Sequence, residues 1–340
     1  MKNIIFNKRG SAVKSFFRDL IESPDTLAID VNVPCKNKLL DLIRMVHTSQ
    51  TIRKKVNLPF QDIWFSMKEI RAFADEVSNF IFVSEALAFI NIDVLKKIKR
   101  EYPKSRFIVI VFDSIHADVR NLVVGRPLIL GFPWDLALSF NQDDCDEFGF
   151  RNLELKYYSV PEIFRNREKS EVHSDISYIG GAQPNDTRVA KIREIYRYLV
   201  GRQVSCNFVI TNWPDQKDGI RYEKDYIPYE EFVRIENESN CILEVVKEGQ
   251  RSNTARYFEA VLLNKKLLTN NPNIKTLPFY DERYMRYFET VYDIDPQWVR
   301  AAEPVDYHYN GEFSPVHIPA LIDKYLAEEG DRSRKQSLPE

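Results

Sequence analysis

The sequence predicts an α/β protein built from two Rossmann-like domains, and three observations predict it. Short apolar runs alternate with helix-period segments through the first half, the rhythm of βαβ units. The stretch 241–271 repeats that rhythm as strand, loop, helix, strand. Between them residues 161–174 are polar and charged, the composition of a linker. At 340 residues the chain can form two domains with separate cores.

In the first domain, residues 1–160, strands are expected at Ile4-Ile5-Phe6, Leu27-Ala28-Ile29-Asp30, Ile63-Trp64-Phe65, Phe80-Ile81-Phe82-Val83 and 107–112. The last is rich in β-branched residues and follows the turn Pro103-Lys104-Ser105. Helices are expected at 11–21, 38–46 and 92–101. Residues 136–140 read as a further strand running into the acidic turn 141–147, and 157–160 as another.

The second domain, residues 175–315, opens with a strand at 175–179 that ends in Gly180-Gly181. A helix at 186–199, a strand at 208–210 and a helix at 229–238 follow. Cys241-Ile242-Leu243, continuing through Val245-Val246, has the length of a buried strand. After the polar loop 247–253, Tyr257, Phe258, Val261 and Leu262 recur at helical spacing. Leu267-Leu268-Thr269 forms the next strand. Residues 316–329 form an amphipathic helix with Ile318, Leu321, Ile322 and Tyr325 on one face. The tail 330–340 has the composition of a disordered segment.

The loop 247–253 lies at the carboxyl end of a strand, where open α/β sheets bind ligands. The helix after it begins near Ser252, Asn253 or Thr254. Its unpaired N–H groups and positive dipole end suit a phosphate. Arg256 in that first turn opposes the dipole, a cost an anionic ligand would offset. Lys247 and Arg251 are weaker candidates for the same charge, and Glu259 follows one turn after Arg256. Gly180 and Gly181 would let a phosphate or sugar approach the backbone, although a tight βα turn explains them as well.

The order strand, Glu-Gly-Gln loop, Thr-x-Arg-x-x-Glu-Ala helix and Lys-Lys-Leu-Leu-Thr-Asn-Asn resembles the donor-binding segment of GT-B glycosyltransferases. The likeness is strongest to bacterial enzymes of capsule and lipopolysaccharide synthesis. It implies two Rossmann-like domains facing each other across a cleft, the acceptor-side domain first, with a C-terminal helix crossing back. It also implies diphosphate near Thr254 and Arg256, ribose on Glu259, and a nucleotide base read by the loop Ile227-Pro228-Tyr229. The plainer reading of Pro228 is a helix-start proline. Many retaining members carry a second glutamate eight residues before the first; here Arg251 stands there, so stereochemistry does not carry over. The implied partners are a nucleotide sugar as substrate and a saccharide or lipid-linked saccharide as acceptor, with no cofactor and no metal.

An inverting transfer needs a general base. Asp113 and His116, just past the strand 107–112, are the candidates, and a structural cap explains Asp113 equally well. Asp144-Cys145-Asp146 matches the metal-binding pattern of GT-A enzymes, but an acidic helix start explains it better. None of the five histidines forms a zinc pair. Lys96, Lys97, Lys99, Arg100, Lys104 and Arg106 make a basic patch of the kind that meets anionic headgroups at the inner membrane. A solvated helix face is the simpler reading.

A net charge of −2 gives no bulk attraction to nucleic acid. Four widely spaced cysteines suggest no disulfide framework, as in a reducing cytoplasm. The N-terminus lacks a signal-peptide pattern and no apolar window is long enough to span a bilayer. The alternative function is a non-catalytic, nucleotide-sugar-binding or scaffold protein of the same fold.

Overall fold

In a computed structural model the chain divides into two units, Met1–Ser159 with Phe313–Glu340, and Val160–Glu312. The structure describes residues 1–10, 12–53, 56, 58–65, 67–116, 120–159, 171–182, 186–214, 216–247 and 254–336. Within the linker expectation, 161–170 lie outside these residues, as do Arg251 and Asn253.

The first unit contains β1 (Lys2–Lys8), α1 (Ala12–Phe16), α2 (Arg18–Ile21), β2 (Thr26–Val31), α3 (Lys38–His47), α4 (Gln50–Arg53), α5 (Met67–Phe73) and β3 (Ser78–Val83). It continues with α6 (Ile92–Glu101), β4 (Arg106–Val111), α7 (Arg120–Gly131), β5 (Leu136–Ser139), α8 (Gln142–Phe148) and β6 (Arg151–Asn152). Its six strands are parallel in the order β2-β1-β3-β4-β5-β6. The order reverses between β1 and β3. Alternating residues of β1, β3 and β4 pack on one face: Phe6 and Phe82, partners in register, stack at 4.4 Å between ring centroids. Burial on both faces explains why these strands read as continuous apolar runs.

The second unit contains β7 (Ser174–Gly181), α9 (Arg188–Val200), β8 (Cys206–Thr211), β9 (Arg221–Glu223), α10 (Tyr229–Asn237) and β10 (Ser239–Glu244). Then come α11 (Ala255–Leu263), β11 (Lys266–Thr269), β12 (Met285–Tyr287) and α12 (Pro296–Arg300). Its sheet is also parallel and six-stranded, ordered β12-β11-β10-β7-β8-β9. Here the reversal falls between β7 and β10. Both units are Rossmann-like.

The last helix, α13 (Ile318–Gln336), belongs to the first unit. Ile318, Leu321, Ile322 and Tyr325 are all buried, the face expected from the sequence. The Tyr325 hydroxyl donates to the Asn152 carbonyl at 2.8 Å, and Lys324 donates to Glu154 at 2.7 Å. The helix runs to Gln336, into the stretch read as a disordered tail.

Other expectations are corrected. Residues 63–65 are not a strand. Residues 61–64 form a 3-10 turn that starts from left-handed Phe60 at φ 61°. The backbone N–H groups of Ile63 and Phe65, which a ladder would need, donate to the Phe60 and Asp62 carbonyls at 3.3 and 3.1 Å, while Trp64 Nε1 and Gln61 Nε2 tie the turn to His47. The helix at 11–21 is two short helices, and 157–159 form no strand, for one shared reason. The Ser159 N–H and hydroxyl both donate to the Phe16 carbonyl at 2.9 and 2.7 Å, and Ser159 Oγ accepts from the Asp19 N–H. That contact takes up both the helix junction and the segment that would have paired.

Candidate functional site

In the second unit the strands flanking the reversal end at Gly181 and Glu244. An open parallel sheet presents its ligand crevice at such a point. Helix α11 is the next element after β10. Thr254 is its N-cap and its hydroxyl accepts from the Arg256 N–H at 3.2 Å. The same hydroxyl donates to Glu244 Oε1, and Thr269 on β11 donates to Glu244 Oε2. Cap, strand end and neighbouring strand are therefore one hydrogen-bonded assembly.

Arg256 and Glu259 do come together. Arg256 Nη1 donates to Glu259 Oε2 and also to Glu236 Oε1 on α10, while its guanidinium lies 3.8 Å from the centre of the Phe232 ring. Tyr229 on α10 donates its hydroxyl to Glu259 Oε1 at 3.4 Å. Glu236, Glu244 and Glu259 are all buried. Burial drives the Glu236 carboxyl well above the ordinary carboxylate range, and the negative charge of Glu259 adds to the rise. Burial also raises Glu244, against the hydroxyls of Thr254 and Thr269. Glu236 Oε2 is buried with no hydrogen-bond partner.

From the sequence, the task of offsetting Arg256 at the positive end of α11 falls to an anionic ligand; here the carboxyls of Glu236 and Glu259, both within the protein, engage its guanidinium. Sequence reasoning missed Glu236 and Glu244. Glu244 interrupts the apolar run 241–246, and that interruption was the available signal. Glu236 was indistinguishable from the other acids of α10.

At the β7 end, a side chain on Gly180 would come within 2.6 Å of the Tyr178 hydroxyl, and one on Gly181 within 2.7 Å of the Tyr226 ring. The two glycines thus make room for aromatic side chains of this chain. Arg188, missed in the sequence, starts α9 and donates to the Gly181 carbonyl at 3.0 Å and to Asp186 at 2.6 Å. Burial would raise Asp186, but the bond and charge of Arg188 hold it below the ordinary range. Ile227 packs against Ile179, Val209 and Ile235, and Pro228 precedes the first turn of α10. Lys247 is exposed and is the last described residue before 254.

In the first unit, Asp113 and His116 follow β4, which lies one strand beyond the reversal. Asp113 is half-buried. His116 is exposed and pairs through Nε2 with Glu147 at 2.7 Å. Asp144 is fully buried. It accepts from the Ile115 N–H at 3.1 Å and from the hydroxyls of Ser114 and Ser139 at 3.3 and 3.2 Å. Asp146 instead accepts from Gln142 on the surface. The two acids of the Asp-Cys-Asp triplet therefore diverge, one a loop anchor and the other a helix-surface group. The basic run at 96–106 meets acids on its own unit: Lys97 with Asp62, Lys99 with Asp135, Lys104 with Glu76 and Arg106 with Asp323.

No protein-family profile matches the sequence, and no curated protein matches it. Among solved structures, the chain is similar to α,α-trehalose 6-phosphate synthase from Burkholderia multivorans. Identity is 10%, with 100% of this chain and 99% of that one covered, at a TM-score of 0.49. It is similar to an α-glucosyltransferase solved with UDP and a mismatched DNA, at 13% identity, 79% of each chain and a TM-score of 0.47. It is also similar to T4 phage β-glucosyltransferase, at 13% identity, 97% of each chain and a TM-score of 0.44. Among the described residues no helix is long and apolar enough to cross a membrane.

Proposed function

We propose that the protein is a GT-B-type glycosyltransferase that moves a sugar from a nucleotide-sugar donor to a saccharide or lipid-linked saccharide in bacterial surface polysaccharide synthesis. The observation that carries this reading is the group Thr254, Arg256 and Glu259 at the start of α11, beside the reversal of the second parallel sheet. A helix start with a cation in its first turn favours diphosphate, and a carboxylate one turn on can accept from ribose hydroxyls. Lys247, Arg251 and Asn253 would add to the phosphate contacts, and residues 227–229 to the base contacts. In this reading positive charge from the helix and Arg256 stabilises the leaving diphosphate, with no metal and no cofactor, in the cytoplasm.

The acceptor oxygen bonds to the sugar's anomeric carbon. The bond from that carbon to phosphate breaks, and the diphosphate leaves with the electron pair. In an inverting reaction the acceptor's proton passes to Asp113 or His116.

A thermal-shift and calorimetric screen of nucleoside diphosphates and their sugars tests the donor, because a bound ligand stabilises the folded chain. Glu259→Gln should weaken the best ligand by about 1–3 kcal/mol, the scale of a charged hydrogen bond. Absence of binding by every nucleotide overturns the reading. The engagement of Arg256 by two carboxylates favours a second reading, a nucleotide-sugar-binding protein without transfer. Binding without transfer to acceptor or water would select it.

A further inference from the structure

Helix α3 is built inside out. Its polar residues Asp41, Arg44 and His47 face the protein, and Arg44 is only 4% exposed. Arg44 Nε donates to Asp41 at 2.8 Å and its Nη1 to Asn32 Oδ1, while Asp41 accepts from the Cys35 N–H at 2.8 Å. The apolar residues face outward: Leu39, Leu40, Leu42, Ile43, Met45 and Val46 are between 48% and 66% exposed. A helix of a water-soluble surface has the reverse arrangement. The inward network of Arg44 fixes the orientation, so the apolar face cannot turn in without stripping a buried guanidinium of its partners.

The exposed face continues beyond the helix. His47 at its end bonds the Pro59 carbonyl at 2.6 Å and accepts from Trp64 at 2.8 Å, which ties residues 59–64 alongside. Phe60 and Ile63 on that turn are 75% and 63% exposed. The segment 31–64 carries six Lys or Arg, at positions 36, 38, 44, 53, 54 and 55, against Asp41 and Asp62. Arg44 pairs with Asp41 and Asp62 with Lys97, while Lys36 and Lys38 are exposed at the start of α3. The whole chain has a net charge of −2, so this excess of positive charge is local.

An outward apolar helix in a basic segment matches a surface with an apolar interior and anionic headgroups. Self-pairing through the same face would set one basic segment against another. We propose that α3 and the 59–64 turn dock on an anionic lipid bilayer, with the helix lying in the plane of the interface. In the basic patch at 96–106, by contrast, Lys97, Lys99, Lys104 and Arg106 are paired with acids. This inference does not depend on sugar transfer.

The test is co-sedimentation of the full chain with vesicles of phosphatidylcholine alone, or with about one-third phosphatidylglycerol, at low and physiological salt. Binding should favour the anionic vesicles and weaken with salt. Leu42→Glu with Ile43→Glu should reduce it about tenfold or more with unchanged Tm, since both residues are exposed. In Phe60→Trp, brominated lipid should quench the new indole. Three results overturn the proposal: no preference for anionic vesicles, undiminished binding by the double variant, or a dimer in ultracentrifugation that the double variant dissociates.

Discussion

Asp144 in the first unit and Glu236 in the second are both fully buried carboxylates, yet their surroundings differ in kind. Asp144 is satisfied by neutral donors, a backbone N–H and two hydroxyls, contributed by the loop after β4 and by β5. Glu236 shares one guanidinium with Glu259, and its second oxygen has no partner. The first arrangement closes a loop and asks nothing further of its surroundings. In the second, two carboxylates depend on one cation, and their stability depends on each other's protonation. A fold with no task for the second arrangement would gain by replacing it with apolar packing.

The largest effect should come from Arg256→Ala, which leaves Glu236 and Glu259 buried without their cation. Urea unfolding should show a loss of about 3–5 kcal/mol, the scale for breaking a buried pair from one side. Arg256→Met combined with Glu236→Met should cost less than Arg256→Ala alone. Equal or greater cost would mean that the cluster is not held by charge.

Asp144→Ala comes next. It orphans the Ile115 N–H and two serine hydroxyls, and should cost about 2–3 kcal/mol because stranded buried donors carry a desolvation penalty. Asp144→Asn keeps an acceptor and should cost less. If Asp144→Ala destabilises as much as Arg256→Ala, the contrast between the two sites fails.

Glu236→Gln sharpens the comparison through pH. The folded-state value of Glu236 lies above its ordinary 4.5, so the folded chain holds a proton that the unfolded chain releases. Stability from this group is therefore full below pH 4.5 and declines as pH rises through the raised value. The Tm of the Gln variant should gain on wild type as pH increases from 4.5 toward the raised value, and level off above it. Parallel Tm curves would show that Glu236 holds no extra proton.

The smallest effect concerns Glu154. Burial would raise it, but bonds from Lys324, Lys156 and Tyr325 hold it down to about 2. Its contribution is present above pH 4.5 and is lost as pH falls from there toward about 2. Glu154→Gln should flatten that acid limb slightly. An unchanged acid limb would mean that Glu154 does not anchor α13.

Much of the fold was legible because strands buried on both faces leave unbroken apolar runs. Residues 80–83 and 107–111 lie within β3 and β4, and the helix at 92–101 coincides with α6. Residues 63–65 had the same local composition, but contacts with His47, distant in sequence, decided their geometry. The break at Phe17 likewise depends on Ser159, which no local pattern reveals. At the site, Thr254, Arg256 and Glu259 were legible because all three lie in one turn and a half of helix. Glu236 was not, because its meaning comes from touching Arg256 twenty residues away. The helix at 38–46 was legible, but the outward direction of its apolar face was not, because it depends on Asn32 and on the 59–64 turn.

The division of the chain also sets an order in time. The first unit is interrupted: its α13 is translated only after every residue of the second unit. At about 5–20 residues per second that delay is on the order of ten seconds. The second unit, continuous in sequence, can finish folding within it. Meanwhile the apolar ground that Ile318, Leu321 and Ile322 will cover stays open on the nascent first unit. Pulse proteolysis of ribosome-bound chains should find the second unit resistant first, and the unit translated earlier of the two should be the last to close.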